Sequence, residues 1–331
     1  MEKGNVIVNK IKRMENFFHQ EKTDCVPVGF WCHFPDEYTV EQHIQAHVDF
    51  YQQTDMDIVK IMDDSWNYLA TAELGIQKAS DWRHIRLSGR DCRQYQAMET
   101  IMRGVLERVG DDAMVFPTLW SPFKMASFAC RHGDAEFMEH CREEPHSVLQ
   151  GITAIADMLC EWTRGYLETG VHGIYYSAQF SEPTRFTQSE WEKLVKPSDT
   201  ELLSLIRNAR KYSIVHICGE DDHGFVSSPE RYVDYPASAF NWDCHRTGLT
   251  LEKGKKLFGA PVIGGVDNHG AFVSGTNEQA SKAIDAALQT IEGKVGFMLG
   301  ADCTIPFEMP LKHISGAVVA ARRFGEGTMN R

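Results

Sequence analysis

The sequence predicts one α/β domain, a single closed (β/α)8 barrel of the TIM type. Short runs of β-branched and aromatic residues alternate with longer amphipathic stretches throughout the 331-residue chain. The repeat reaches eight without a break in composition, which favours the barrel over a doubly wound open sheet. The predicted strands lie at residues 26–31, 57–62, 113–119, 172–177, 213–217, 238–242, 261–266 and 296–301.

Helical spacing between these strands predicts helices at residues 40–53, 145–169, 188–211, 277–291 and 311–324. Residues 1–22 are predicted to form an N-terminal arm, and residues 23–331 the barrel. The interval 63–110 is longer than one helix needs and carries Trp66, Tyr68 and Trp82. It leaves the C-terminal end of the second strand, where barrel active sites gather, so it is a candidate lid, with surface decoration as the alternative.

Charge and composition exclude several classes of protein. The chain has 34 Lys and Arg against 46 Asp and Glu, a formal net charge of −12, which argues against a general polyanion binder. No apolar run approaches the roughly 20 residues that span a bilayer, and the charged N-terminus is unlike a secretory signal, so we expect a cytoplasmic protein. Nine cysteines in a long chain indicate reduced thiols rather than a disulfide framework.

The strongest chemical signal is a His-x-Cys pair, His216 and Cys218, at the end of the fifth predicted strand. Side chains two apart on a strand share a face, and Cys303 follows the eighth strand at the same end of the barrel. Two sulfurs and one imidazole nitrogen suit Zn²⁺, and three protein ligands leave a fourth position for a substrate. Two alternatives stay open, namely buried cysteines that only pack, and a Cys–His nucleophile pair in a hydrolase.

Two carboxylates are weaker candidates for catalytic residues. Glu182 follows the fourth predicted strand and would be a displaceable oxygen ligand or a substrate contact, or else an exposed loop carboxylate. Asp267 ends the seventh strand and would orient His216 by a hydrogen bond, or else cap a helix.

A second pair of metal-ligand types, Cys244 and His245, is predicted to point to opposite faces of a strand and therefore not to share a metal. Asp302 lies directly before Cys303, and strand alternation is expected to turn its carboxylate away from the Cys303 sulfur.

These landmarks, in this order, resemble the uroporphyrinogen decarboxylase-like superfamily and, within it, the zinc-dependent, corrinoid-linked methyltransferases. The resemblance rests on the strings at residues 216–219, 264–267 and 300–306, and on 24–28 and 55–60, so it covers nearly the whole chain. It implies a single barrel domain with zinc held by His216, Cys218 and Cys303. No segment looks like a corrinoid-binding module, so the corrinoid (cobalamin) is expected on a separate partner protein.

The resemblance implies a zinc-dependent methyltransferase. It would move a methyl group between a small methylated compound, such as a methyl ether or a methylamine, and the cobalt of the corrinoid. Aromatic side chains near the strand ends would suit an aromatic methyl ether. The candidate pocket residues are Phe30, Trp31, Phe34, Trp66, Tyr68 and Gln179.

Three alternative functions stay open. The first is transfer from a methylated corrinoid to a thiol, in which zinc would hold the acceptor as a thiolate. The second is a metal-free decarboxylase acting on a tetrapyrrole, and the third is a barrel without catalytic activity. The chain lacks any arginine between Arg13 and Arg83, where true uroporphyrinogen decarboxylases carry an arginine-bearing stretch, which disfavours the second.

Overall fold

The computed structural model describes residues 9–64, 66–219, 226–290 and 295–324. Residues 1–8 of the predicted arm, Ser65 of the predicted insertion, the predicted helix end at Ile291 and residues 325–331 lie outside the described part. The strands are β1 Ile58–Ile61, β2 Met114–Trp120, β3 Gly173–Ala178, β4 Tyr212–Ile217, β5 Ala239–Trp242, β6 Val262–Val266 and β7 Phe297–Ala301. Every neighbouring pair in the order β1 to β7 is parallel, as the barrel prediction requires.

Helices alternate with these strands and surround the sheet. They are α1 Lys10–Phe18, α2 Val40–Thr54, α3 Leu69–Ala72, α4 Arg93–Val109, α5 Pro122–Phe128, α6 Gly133–Glu143, α7 Pro145–Glu168, α8 Gln188–Leu194, α9 Lys196–Asn208, α10 Cys244–Thr247, α11 Leu251–Phe258, α12 Ala271–Ser274, α13 Asn277–Gln289 and α14 Leu311–Phe324. Short 3₁₀ turns occupy Ala79–His84 and Pro229–Tyr232. Across the described ranges, no helix combines the length and the apolar character needed to cross a bilayer.

The segment predicted as the first strand, 26–31, closes the ring between β7 and β1. Val28 bridges Leu299 of β7 in parallel, and the Val28 carbonyl accepts the Asp57 amide at 2.9 Å just before β1. The segment is not a regular strand because only some of its backbone donors take part in the ladder. Pro27 has no amide N–H, and the Val28 amide donates to the Asp57 carboxylate at 2.8 Å. The (β/α)8 class is confirmed, with the first strand reduced to a bridge.

The barrel interior is filled by side chains from every strand and from α1. Phe18 of α1 stacks on Tyr212 at the start of β4, with ring centroids 4.2 Å apart. Helix α1 therefore covers the N-terminal end of the barrel and leaves the C-terminal end for a functional site. The interior cluster is Met14, Phe17, Phe18, Trp31, Ile58, Met62, Met114, Phe116, Tyr175, Ile214, Ala239, Ile263 and Met298.

A buried ion cluster holds α1 in this position. The Arg13 guanidinium donates to both oxygens of Asp24, at 2.8 Å each, and forms an ion pair with the buried Asp57 carboxylate. Burial lowers the pKa of Arg13, but the hydrogen bonds to Asp24 and the charges of Asp24 and Asp57 outweigh it and raise this pKa above its ordinary value. Because Asp57 also accepts the Val28 amide, the same carboxylate joins α1 to the closing segment.

The interval 63–110 packs along the outer helices α6 and α7. The buried Trp82 indole N–H donates to His140 Nδ1 of α6 at 3.2 Å. Asn67 Oδ1 accepts the Tyr166 hydroxyl of α7 at 2.9 Å. These contacts anchor the insertion on the side of the barrel, and its role as a lid stays a prediction.

The predicted helix 188–211 is two helices, α8 and α9, that meet at Val195. Pro197 lies in the first turn of α9, where its missing N–H costs no intrahelical hydrogen bond. The proline therefore starts a new helix where the apolar periodicity alone predicts a continuous one.

Asp199 of α9 is wholly buried and accepts hydrogen bonds from the hydroxyls of Tyr176 at 2.5 Å and Tyr235 at 2.9 Å. Burial raises the pKa of Asp199 to about 7, and the two hydroxyl donors only partly oppose it. The folded state therefore keeps a proton that the unfolded chain loses near pH 3.8.

We expect the free energy of unfolding to gain from this proton below about pH 4, and to lose that gain as the pH rises towards about 7. Replacing Asp199→Asn should remove this contribution, up to about 1.4 kcal/mol per pH unit. Urea unfolding at several pH values measures it, with Asp157→Asn on the exposed side of α7 as the control. Equal pH slopes for wild type and Asp199→Asn would contradict the assignment.

Candidate metal centre

His216 and Asn241 face each other across the β4–β5 pair and share one register position. Asn241 Nδ2 donates to the carbonyls of Ile263 at 3.0 Å and Ala301 at 3.1 Å, so its Oδ1 must point the other way. That oxygen lies 2.5 Å from His216 Nδ1. An amide oxygen can only accept, so Nδ1 carries the imidazole proton and Nε2 keeps a lone pair.

The Nε2 lone pair points towards two cysteine sulfurs. Cys303 Sγ lies 3.3 Å from His216 Nε2, and the ligand atoms of His216, Cys218 and Cys303 lie within 4.8 Å of one another. A tetrahedral zinc ion sets neighbouring sulfur and nitrogen ligands about 3.5 to 3.8 Å apart. The structure thus brings together the three residues predicted as metal ligands. Cys303 is buried and Cys218 half-buried, which leaves one side of the cluster accessible.

Two aromatic rings and a lysine form the floor below this cluster. The rings of Trp31 and Tyr175 lie 6.2 and 6.3 Å from the His216 imidazole, measured between centroids. Lys60 Nζ lies 4.7 Å above the Trp31 ring and 4.3 Å above the Tyr175 ring. Burial lowers the pKa of Lys60 to about 8, opposed by the negative charge of Cys303 and Cys218. At neutral pH the ammonium favours the thiolate form of both cysteines.

Glu182 is buried at 4% exposure, so the alternative of an exposed loop carboxylate is wrong. Its Oε2 lies 3.5 Å from Arg185 Nε, and Arg185 also donates to Asp134 at 2.6 Å. Among the described residues, the three-ligand cluster does not include Glu182. Its role in catalysis stays a prediction, now as part of an ion-paired loop after β3.

Asp267 does not provide the orienting hydrogen bond that the sequence predicts. Both ring nitrogens of His216 face other groups, Asn241 at Nδ1 and Cys303 at Nε2. The Asp267 carboxylate accepts the His269 amide at 2.8 Å instead. Sequence reasoning missed Asn241, although a single amide within an otherwise apolar strand, Ala239–Trp242, was a usable signal.

The six predicted pocket residues do not form one wall. Trp31 lies beside the cluster, whereas Phe30 packs outwards on Phe272, with ring centroids 5.0 Å apart. Phe34 contacts His47 and Phe307 in the outer layer, at 4.7 and 5.8 Å. Strand alternation explains the difference, because neighbouring residues of the closing segment face opposite sides.

The remaining three pocket candidates are half-buried. Trp66 packs against the outer core, and Tyr68 contacts Phe128 at 5.5 Å. Gln179 follows β3, and its carbonyl accepts the Tyr232 hydroxyl at 3.3 Å. Phe180, the next residue, has a φ of 64°, a left-handed conformation that is rare for an aromatic residue and marks a tightly constrained loop.

A second group of ligand-type side chains lies at the same end of the barrel. β5 ends at Trp242, and Cys244 and His245 open the short helix α10, so the predicted strand alternation does not apply to them. Both side chains turn towards the buried Asp302, whose Oδ1 lies 3.2 Å from Cys244 Sγ and whose Oδ2 lies 2.6 Å from His245 Nδ1. Asp302 points away from the first cluster, as predicted. The prediction that the side chains of Cys244 and His245 point in opposite directions is therefore wrong.

The solved structures that share this fold include a methyltransferase and a methionine synthase. A methyltransferase from Methanosarcina mazei has a TM-score of 0.73 at 15% identity, over 96% of this chain and 98% of that chain. A B12-independent methionine synthase from Shewanella sp. W3-18-1, in complex with selenomethionine, has a TM-score of 0.59 at 12% identity, over 92% of this chain and 96% of that chain. At these identities the likeness concerns the fold.

Sequence comparison gives the family. No curated protein matches the chain. The uroporphyrinogen decarboxylase (URO-D) family model matches residues 75–324, which is well over half of the sequence. This agrees with the ordered strings at the strand ends and with the barrel that the strands build. The chain belongs to the uroporphyrinogen decarboxylase family.

Proposed function

We propose that this protein is a zinc-dependent methyltransferase that moves a methyl group between a small methylated compound and the cobalt of a separate corrinoid protein. The observation that carries the proposal is the cluster of His216, Cys218 and Cys303, with its imidazole oriented by Asn241. The shared fold with a methyltransferase over nearly the full length of both chains supports it.

The side chains fit a zinc ion by their chemistry. Two sulfurs and one neutral imidazole suit a borderline-soft cation, and three protein ligands leave one coordination position for a substrate. When bound there, zinc would polarise a substrate heteroatom or hold a thiol as its thiolate.

The chain's own residues prepare this position. Asn241 keeps the proton of His216 on Nδ1, so that Nε2 is a ligand atom at any pH at which the imidazole is neutral. Lys60 contributes a positive charge that offsets the two thiolates. The buried rings of Trp31 and Tyr175 exclude water from the inner side of the cluster. Substrate can therefore approach from the side of the half-buried Cys218.

The alternative of a tetrapyrrole decarboxylase is less well supported. For its polycarboxylate substrate, the resemblance implies guanidinium groups just after the first strand. Arg13, the last arginine before Arg83, forms ion pairs with Asp24 and Asp57 at the opposite end of the barrel. The family model also begins at residue 75, so its match does not include the segment where that arginine-bearing stretch would lie.

Replacing either Cys218→Ala or Cys303→Ala should lower the zinc content by one ion per chain relative to wild type, because two ligands hold the ion poorly. Elemental analysis of the purified proteins after gel filtration measures the content. Cys141→Ala, a buried cysteine of α6, is the control and should keep the wild-type value. Wild-type zinc content in both ligand variants would refute the assignment.

Replacing Asn241→Ala should weaken zinc binding by about 10- to 100-fold, because the imidazole loses the acceptor that fixes its tautomer and orientation. Competition with a chromogenic chelator gives the dissociation constant. Tyr175→Phe is a matched control, since its hydroxyl is a long 3.4 Å donor to the same Asn241 oxygen and its loss should have a small effect. Equal zinc affinity in Asn241→Ala and wild type would show that the amide does not position His216.

The methyl-transfer activity is tested by mixing the protein with a corrinoid protein reduced to cobalt(I) and a panel of methyl ethers and methylamines. With at least one compound, the absorption of reduced cobalt should give way to that of the methylated corrinoid, and Cys303→Ala should abolish the change. A parallel reaction offers methylated corrinoid to thiols and reports the opposite direction. The absence of a change in cobalt absorption and of methyl transfer to thiols would overturn the proposal.

A further inference from the structure

The cluster of Cys244, His245 and Asp302 shares no residue with the proposed zinc ligands. Its three ligand atoms lie within 4.8 Å of one another, and Cys244 Sγ is 3.5 Å from His245 Nδ1. Asp302 is 1% exposed, whereas the His245 side chain is 47% exposed. The cluster therefore combines a fixed buried carboxylate with an imidazole that ions in solution can reach.

The surroundings of the cluster carry an excess of negative charge. The carboxylates of Asp302, Asp267 and Asp243 all act on the His245 imidazole, and that of Asp302 lies 2.6 Å from its Nδ1. Asp243, the residue before Cys244, lies close enough to Asp302 for the two carboxylates to act on each other. Arg246 is the cation that acts on this pair from the same helix. A divalent ion would neutralise part of this negative charge.

We propose that Cys244, His245 and Asp302 form a second metal site, for a borderline-soft divalent ion of the zinc class. One sulfur, one nitrogen and one oxygen are ligands that such ions accept. A tetrahedral ion needs sulfur about 3.5 Å from its nitrogen or oxygen neighbour, close to the present sulfur distances. The 2.6 Å hydrogen bond between His245 Nδ1 and Asp302 Oδ2 would lengthen to about 3.3 Å when the ion takes its place. A metal ion binds sulfur as thiolate and imidazole through a free lone pair, so its uptake releases protons to solvent.

A Cys–His–Asp catalytic triad does not explain the same contacts. In a triad the two ring nitrogens face different partners, because one takes the proton of the nucleophile while the other is held by the carboxylate. Here one nitrogen, Nδ1 of His245, faces both Cys244 and Asp302. Convergence of all three groups on one point is the arrangement of a metal site.

The site would join two loops that matter for the first cluster. Cys244 and His245 follow β5, which carries Asn241, and Asp302 precedes Cys303. An ion bound only in the folded state stabilises that state by mass action. Saturating metal should therefore raise the midpoint of thermal unfolding more in wild type than in a variant that lacks this site.

Cobalt(II) titration of the metal-free full chain tests the proposal, with stoichiometry from equilibrium dialysis and ligand type from the sulfur-to-cobalt charge-transfer absorption. Wild type should bind two ions per chain. Cys244→Ser and His245→Gln should each bind one, with the two-sulfur absorption retained. His245→Gln alters an exposed side chain, so it tests the site even if Cys244→Ser folds poorly.

Two further variants separate this site from the first. Cys303→Ser should lose the two-sulfur absorption but keep a weaker one-sulfur band, whatever the outcome for methyl transfer. Cys130→Ser is the matched control, because Cys130 lies 3.8 Å from His140 Nδ1 yet the pair belongs to no three-ligand group in the described residues. Unchanged cobalt stoichiometry and affinity in both Cys244→Ser and His245→Gln would overturn the second site. A single ion in wild type that both variants retain would overturn it in the same way, whereas a single ion that both variants lose would overturn the first site instead.

Discussion

The site depends on one amide that cannot turn. Asn241 Nδ2 donates hydrogen bonds to one carbonyl of β6 and one at the end of β7. This leaves the amide oxygen directed at His216. Three neighbouring strands thus determine which nitrogen of one imidazole carries a proton. In a buried setting the energetic cost of an unpaired amide is large, so this orientation is maintained without any ion. The lone pair of the ligand atom Nε2 is therefore oriented for metal binding in the metal-free protein.

The rest of the barrel makes this possible by closing one end and leaving the other accessible. Helix α1 fills the N-terminal end with Met14, Phe17 and Phe18, and the Arg13 ion cluster fixes it to the segment that completes the ring. Polar groups then collect at the C-terminal rim, where Cys218 and Cys303 extend beyond β4 and β7. The floor of the site consists of two aromatic rings and Lys60, whose charge is stabilised by the two ring faces and by nearby sulfur.

Much of this could be predicted from the sequence, because hydrophobic periodicity and strand-end placement are local properties. The barrel and the convergence of His216, Cys218 and Cys303 follow from such patterns. The role of Asn241 could not be derived in this way, since it requires the register of β5 against β4. The partners of Asp302 also depend on where β5 stops, because a strand ending at Trp242 lets Cys244 and His245 turn to one side. Pro27 and Pro197 changed local structure through their missing N–H groups, which weakened the first strand and divided a helix.

The central claim is that one zinc ion is held by two sulfurs and one imidazole. X-ray absorption at the zinc edge, on protein carrying one zinc per chain, measures this coordination directly. The account predicts two sulfur neighbours at about 2.3 Å and a histidine nitrogen at about 2.0 to 2.1 Å. A spectrum with only nitrogen and oxygen neighbours, or with a single sulfur, would contradict it.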